Sequence, residues 1–147
     1  PDDYYIRAGT NGFNLTMTCD AGGAWSDAKT ATYTPEDGGI VIFNNQSASF
    51  DYLYPTVTFT LDGGTDFSII NTTDSTTREF KFTDLTDGET ITVNGQTGQI
   101  TSSLGNTRVD KFNKHYLRLM HGINNLKCIG KVSSLKFTYE KFIRIGG

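Results

Sequence analysis

Between Leu117 and Tyr139 the apolar side chains fall on every second residue. Leu117 and Leu119, then Leu126 and Cys128, then Leu135, Phe137 and Tyr139 alternate with polar neighbours. A period of two places all apolar side chains of a strand on one face. A sheet that is apolar on one face must bury it against a second layer. The chain has no long helical pattern to supply that layer, so the spacing predicts an all-β fold, an antiparallel two-sheet β-sandwich. The stretch Leu85–Ser103 reads as a hairpin, with Ile91 and Val93 alternating with Thr90, Thr92 and Asn94. Its Asn94-Gly95 pair tolerates the positive φ of a type I′ turn, whereas Gly98 suits a longer loop with a bulge; the sequence leaves both open.

The same reading predicts nine or ten strands. Asp2–Gly9 reads as an extended strand or the tail of something upstream, and Leu15, Met17 and Cys19 form one face of a short strand. The glycine turn Asp20–Gly23 delivers the single tryptophan, Trp25, and Ala31–Thr34 is again extended. Ile40–Phe43 is an unbroken apolar run, which predicts a strand buried on both faces or a crossing between sheets. Val57, Phe59 and Leu61 point inward with Thr56, Thr58 and Thr60 outward, and Phe67–Asn71 pairs with Arg78–Phe82. At most one short helix is expected, over Lys111–Tyr116 with Asp110 as its cap. The 147 residues suit one domain spanning 1–147. Residues 1–14 belong either to the sandwich or to a severed neighbour. The start at Pro1-Asp2-Asp3 without methionine reads as a fragment or processed product.

Little in the sequence suggests catalysis. A net charge of −3 argues against a general nucleic-acid binder, which needs a basic footprint. No apolar run approaches the roughly 20 residues of a membrane-spanning helix. His115 and His121 are the only histidines, and neither lies beside a nucleophile turn. Strand periodicity would place both on one side, and Asp110 or Cys128 would complete a ligand set on paper, but the spacing matches no zinc pattern. The carboxylates Glu36, Asp37, Asp62, Asp66, Asp84, Asp87 and Glu89 cluster in turns, and TDLTDGET is too short for a calcium loop. No glycine loop cradles a phosphate before a helix, so no cofactor is expected. Cys19 and Cys128 each end an alternating apolar set and read as buried thiols; a bridge between them requires Cα atoms within about 7 Å.

The aromatics Trp25, Tyr33, Tyr52, Tyr54 and Tyr116 serve either as core and interface packing or as a sugar-stacking platform. Trp25, Tyr52 and Tyr54 are the binding candidates. Several spaced motifs carry a family resemblance. Cys19-Asp20 followed by Ala24-Trp25, the Asn44-Asn45 connector leading to Tyr54-Pro55, the Gly88–Thr92 strand, and Leu119, Gly122, Asn124 and Leu126 before the last strands stand in this order. The chain thereby resembles the C-terminal half of siphophage distal tail proteins. It departs from them in two turns, with His121 in place of a proline and glycines after Cys-Asp. The resemblance implies a galectin-like or carbohydrate-binding-module-like jelly roll that is not an enzyme. It further implies a place in the virion tail, contacts with other tail and baseplate proteins or receptor-binding components, and hexamers only in a full-length parent, the isolated domain being monomeric. The alternative function is recognition of cell-surface carbohydrate.

Overall fold

The computed structural model describes residues 3–7, 14–18 and 23–144. Strands β1 (Asp3–Arg7) and β2 (Asn14–Thr18) form an antiparallel hairpin. Strands β3 (Gly23–Trp25), β4 (Lys29–Tyr33), β5 (Ile40–Asn45), β6 (Thr56–Leu61) and β7 (Phe67–Asn71) follow. Next come β8 (Glu79–Phe82), β9 (Thr90–Asn94), β10 (Ile100–Ser102), β11 (Gly122–Ile129), β12 (Val132–Tyr139) and β13 (Phe142–Arg144). A five-stranded sheet in the order β10-β9-β6-β12-β4 faces a four-stranded one in the order β5-β11-β7-β8. All pairings are antiparallel, and β3 pairs with β13 in a separate ribbon. The expected two-sheet sandwich is the observed one. The count exceeds nine or ten because β3, β10 and β13 are only three residues long, too short to show a period.

Alternation explains the core. Val57, Phe59 and Leu61 from β6, Ile91 and Val93 from β9, and Leu135 and Phe137 from β12 project inward and are buried. They meet Phe43, Phe67, Ile69, Phe80 and Phe82 of the opposite sheet. Phe59 lies at the centre, its ring 4.7 Å from that of Phe67 and 5.6 Å from that of Phe82. The outer face of the five-stranded sheet carries hydroxyls instead. Thr60 and Thr90 bond across the ladder at 2.8 Å, and Thr58 and Thr92 at 3.2 Å.

Two local expectations are corrected, and of two open readings of the β9–β10 turn one is observed. Ile40–Phe43 is neither buried on both faces nor a crossing. Val41 and Phe43 are buried, while Ile40 and Ile42 are each 62% exposed. Strand β5 is the rim of its sheet, and only β11 pairs with it among the described residues. The helical turn lies at Val109–Lys111, with Arg108 and not Asp110 at its N-cap position. It cannot run on to Tyr116 because Phe112 is buried against Phe82, ring centroids 4.6 Å apart, and Asn113 is engaged elsewhere. The Asn113 amide N–H donates to Lys81 O, its Nδ2 donates to Glu79 O, and Thr83 N–H donates to Lys111 O, which seals the outer edge of β8. The β9–β10 connection is the longer loop: Gly98 adopts φ 80° and donates its N–H to Asn94 O.

Candidate functional site

The exposed residues of β5 and β11 form a surface from strand register alone. Ile40 pairs with Lys127, Ile42 with Asn125 and Asn44 with Ile123. Outward side chains of paired and diagonal positions are neighbours on a sheet face, so Ile40, Ile42 and the 51%-exposed Ile123 make one apolar strip. Phe50 is also exposed, at 80%, its ring 4.4 Å from that of His121. His121 Nδ1 lies 2.9 Å from Ser47 O, which fixes the imidazole under Phe50. The backbone of the rim is also available. Cys128 N–H donates to Gly39 O, so bonded pairs fall two residues on, at Val41 with Leu126 and Phe43 with Asn124. Ladder hydrogen bonds alternate in direction along a strand, turning the N–H and C=O of Ile40, Ile42 and Asn44 to the outer edge, where no strand pairs with them among the described residues.

The three aromatic candidates do not share one platform. Trp25 lies on the β3–β13 ribbon, 57% exposed, its ring edge-on to Phe142 at 5.4 Å. Tyr52 and Tyr54 do lie together, ring centroids 6.4 Å apart. Tyr52 is committed to a charged cluster: its hydroxyl donates to Asp74 at 2.8 Å while the Arg118 guanidinium sits 4.3 Å above its ring. Arg118 Nε donates to Asp74 at 2.7 Å. Burial alone would raise the Asp74 carboxyl, but the hydrogen bonds from Arg118 and Tyr52 outweigh it and hold the group below its ordinary value. The Tyr52 phenol is raised, first by its bond to Asp74. Tyr54 instead borders a cleft at the end of the five-stranded sheet. Tyr33 packs on Phe137 and Tyr116 on Phe112, so both belong to the core margin.

His115 and His121 do not converge, because Leu119 makes only an isolated bridge to Leu53 and residues 115–121 form no strand. No group of three or more His, Cys, Asp or Glu side chains able to hold a metal occurs among the described residues. Asp110 forms a 3.9 Å contact with Lys111, and Asp84 pairs with Lys111 at 2.6 Å. Cys128 is a free, buried thiol whose pKa is pushed up to about 12 by desolvation. Cys19 and the Cys19-Asp20 motif lie outside the described residues.

Residues 24–139 match the family model of the phage tail C-terminal domain. The chain belongs to that family. This tail domain is also similar in fold to the Dit protein (gp 19.1) of phage SPP1, described as a paradigm of the hub adsorption apparatus in phages infecting Gram-positive bacteria. That likeness has a TM-score of 0.60 at 12% identity, over 94% of this chain and 64% of that one. The tail domain thus spans less than two thirds of the SPP1 protein. A search of curated proteins found no match.

Two polar clusters of the tail domain escaped sequence reasoning. Glu89, assigned to a turn, is buried, and its carboxylate accepts from Arg108 Nε at 2.7 Å, Arg108 Nη2 at 3.0 Å, Ser102 Oγ at 2.5 Å and Thr86 N–H at 2.9 Å. Burial pushes this carboxyl up, yet those donors, Arg108 foremost, bring it below its usual value. Asn124, fully buried, accepts from Asn71 Nδ2 and Met120 N–H, and donates to the carbonyls of Met120 and Gly122. The sequence signal for Asn124 was its position on the inward side of β11, between Gly122 and Leu126.

Proposed function

We propose that this phage tail domain is the outer, non-catalytic domain of a distal tail protein of the baseplate hub, and that it holds receptor-binding components. Family membership supports the structural role in the tail. The observation that carries the attachment role is the exposed Ile40–Ile42–Ile123 strip on an open sheet rim. Such a rim offers backbone hydrogen bonds and apolar contact together, the two ingredients of strand addition. The ring-forming contacts belong to a separate part of the parent protein, so this chain is a monomer in solution.

The test places Ile40→Asp and Ile42→Asp together in the phage genome. Both side chains are exposed, so stability stays within about 0.5 kcal/mol of wild type, and tails assemble without their receptor-binding components by electron microscopy. Tails that retain those components would overturn the assignment of this surface, and a stable hexamer of the isolated chain by light scattering would overturn the division of labour.

A second reading, recognition of cell-surface carbohydrate, is supported by one observation. Tyr54 and Tyr139 flank a polar cleft on the opposite sheet.

A further inference from the structure

At one end of the five-stranded sheet a cleft of about 190 Å³ opens beside Tyr54 and Tyr139. Its floor is a single row across three neighbouring strands. Thr56 of β6 pairs with Asn94 of β9 on one side and with Thr138 of β12 on the other. Neighbouring strands are about 4.8 Å apart, so the row presents polar side chains at a regular spacing on a flat base. Gln96 and Glu140 form the outer rim, and both are exposed.

The walls are held in place before any ligand arrives. Asn94 Oδ1 accepts the N–H groups of Gln96 at 2.9 Å and Thr97 at 3.1 Å. That occupies the carbonyl end of the carboxamide and leaves Nδ2 as a donor with no protein partner among the described residues. The loop behind it is pressed onto the Tyr54–Pro55 segment: Gly95 N–H donates to Pro55 O at 3.1 Å, and a Cβ on Gly95 would stand 2.6 Å from that oxygen. On the other side, Ser26 N–H donates to Lys141 O and Lys141 N–H donates to Ser26 Oγ, clasping the segments that carry Ala28 and Glu140. The Tyr139 ring is set edge-on against Phe43 at 5.0 Å.

The lining defines the ligand class. It contains one carboxylate and no cation, and Glu140 enters none of the ion pairs formed among the described residues. An anionic ligand would meet repulsion without a counter-charge. Tyr54 offers an aromatic ring at the cleft border, the Tyr139 ring being packed on the core, while hydroxyls, carboxamides and a carboxylate offer fixed donors and acceptors. An uncharged ring bearing several hydroxyls uses all of these. The volume falls below the roughly 300–1,000 Å³ of a drug-sized pocket, which leaves room for one such ring. We infer that the Tyr54–Tyr139 cleft is a subsite for a single uncharged sugar residue of a cell-surface glycan. The inference rests on the carbohydrate reading above and gives it a location distinct from the isoleucine strip.

The experiment is a titration of the folded chain with methyl glycosides of glucose, galactose and N-acetylglucosamine, with N-acetylneuraminic acid as the anionic comparison. It is read by saturation-transfer NMR and amide shifts. Binding of at least one neutral glycoside at millimolar concentration, with shifts confined to residues 94–97 and 138–140, is expected. Gln96→Ala and Glu140→Ala, both at exposed positions, and Tyr54→Ala each weaken it at least tenfold with amide spectra otherwise unchanged. Binding that persists in all three variants but disappears in Trp25→Ala overturns the cleft and leaves the carbohydrate reading standing. A preference for the anionic sugar also overturns the cleft, and no binding by any glycoside overturns both.

Discussion

Removal of the Arg108 guanidinium tests how the β9–β10 end of the sandwich is held. The Glu89 side chain is wholly buried and that of Arg108 is 14% exposed, with Nε 2.7 Å from the carboxylate. Taking away one partner of a buried pair leaves an uncompensated charge and costs about 3–5 kcal/mol. Against a total stability of about 5–15 kcal/mol for a typical domain, Arg108→Ala is a severe change, lowering Tm by roughly 10 °C in a chain of this size. The effect depends on pH. In the wild type the folded Glu89 carboxyl lies below its unfolded value, so its contribution is present above the ordinary carboxylate pKa of about 4.3 and is lost as pH falls through the folded value. In Arg108→Ala burial is less opposed and the folded pKa rises. The penalty is therefore fullest at pH 7 and shrinks as Glu89 becomes protonated. Urea denaturation at pH 7 and pH 4, followed by circular dichroism, measures both. Glu89→Gln in the Arg108→Ala background restores part of the loss, because it removes the uncompensated charge while its Oε1 accepts from Thr86 N–H and its Nε2 donates to Ser102 Oγ. A change under about 1 kcal/mol, or one equal at both pH values, would refute the reasoning.

Three further outcomes are expected. Phe59→Ala empties the middle of the core and costs about 3–5 kcal/mol, measured as a lower urea midpoint with m unchanged. Asn124→Ala leaves the Met120 N–H without its acceptor, at about 1–3 kcal/mol, and Asn71 Nδ2 with Arg118 O alone; hydrogen exchange at Met120 and in β11 should speed up before that in β6. The Cys128 thiol, buried with a pKa of about 12, stays silent toward Ellman's reagent at pH 8 until denaturant is added; rapid labelling of Cys128 in the native chain would contradict its placement.

Period-two alternation made the layers legible, because burial of one strand face is a local property that needs no knowledge of the partner. Val57, Phe59, Leu61, Leu135 and Phe137 were assigned inward for that reason and are buried. Ile40–Phe43 misled because an unbroken apolar run reports how oily a segment is, not whether a further strand lies beyond it. Only the strand order places β5 at a rim, with Ile40 and Ile42 facing solvent. Lys111–Tyr116 misled for a related reason: its helical signals were local, whereas Asn113 is claimed by β8, more than 30 residues earlier in the chain. Glu89, Arg108 and Asp74 were invisible as partners since ion pairs between distant segments leave no periodic trace. Tyr54 was singled out as an aromatic beside a proline, and its cleft neighbours Asn94 and Thr138 come from strands only the register brings together.

The two rims of the four-stranded sheet are unequal. On one, Lys111–Asn113 occupies the backbone groups of β8; on the other, β5 has no strand beyond it among the described residues. The four-stranded sheet can therefore take a further strand at β5 but not beyond β8. Copies joined edge to edge through this sheet alone would close as pairs, each β5 meeting the other and leaving only sealed margins outward.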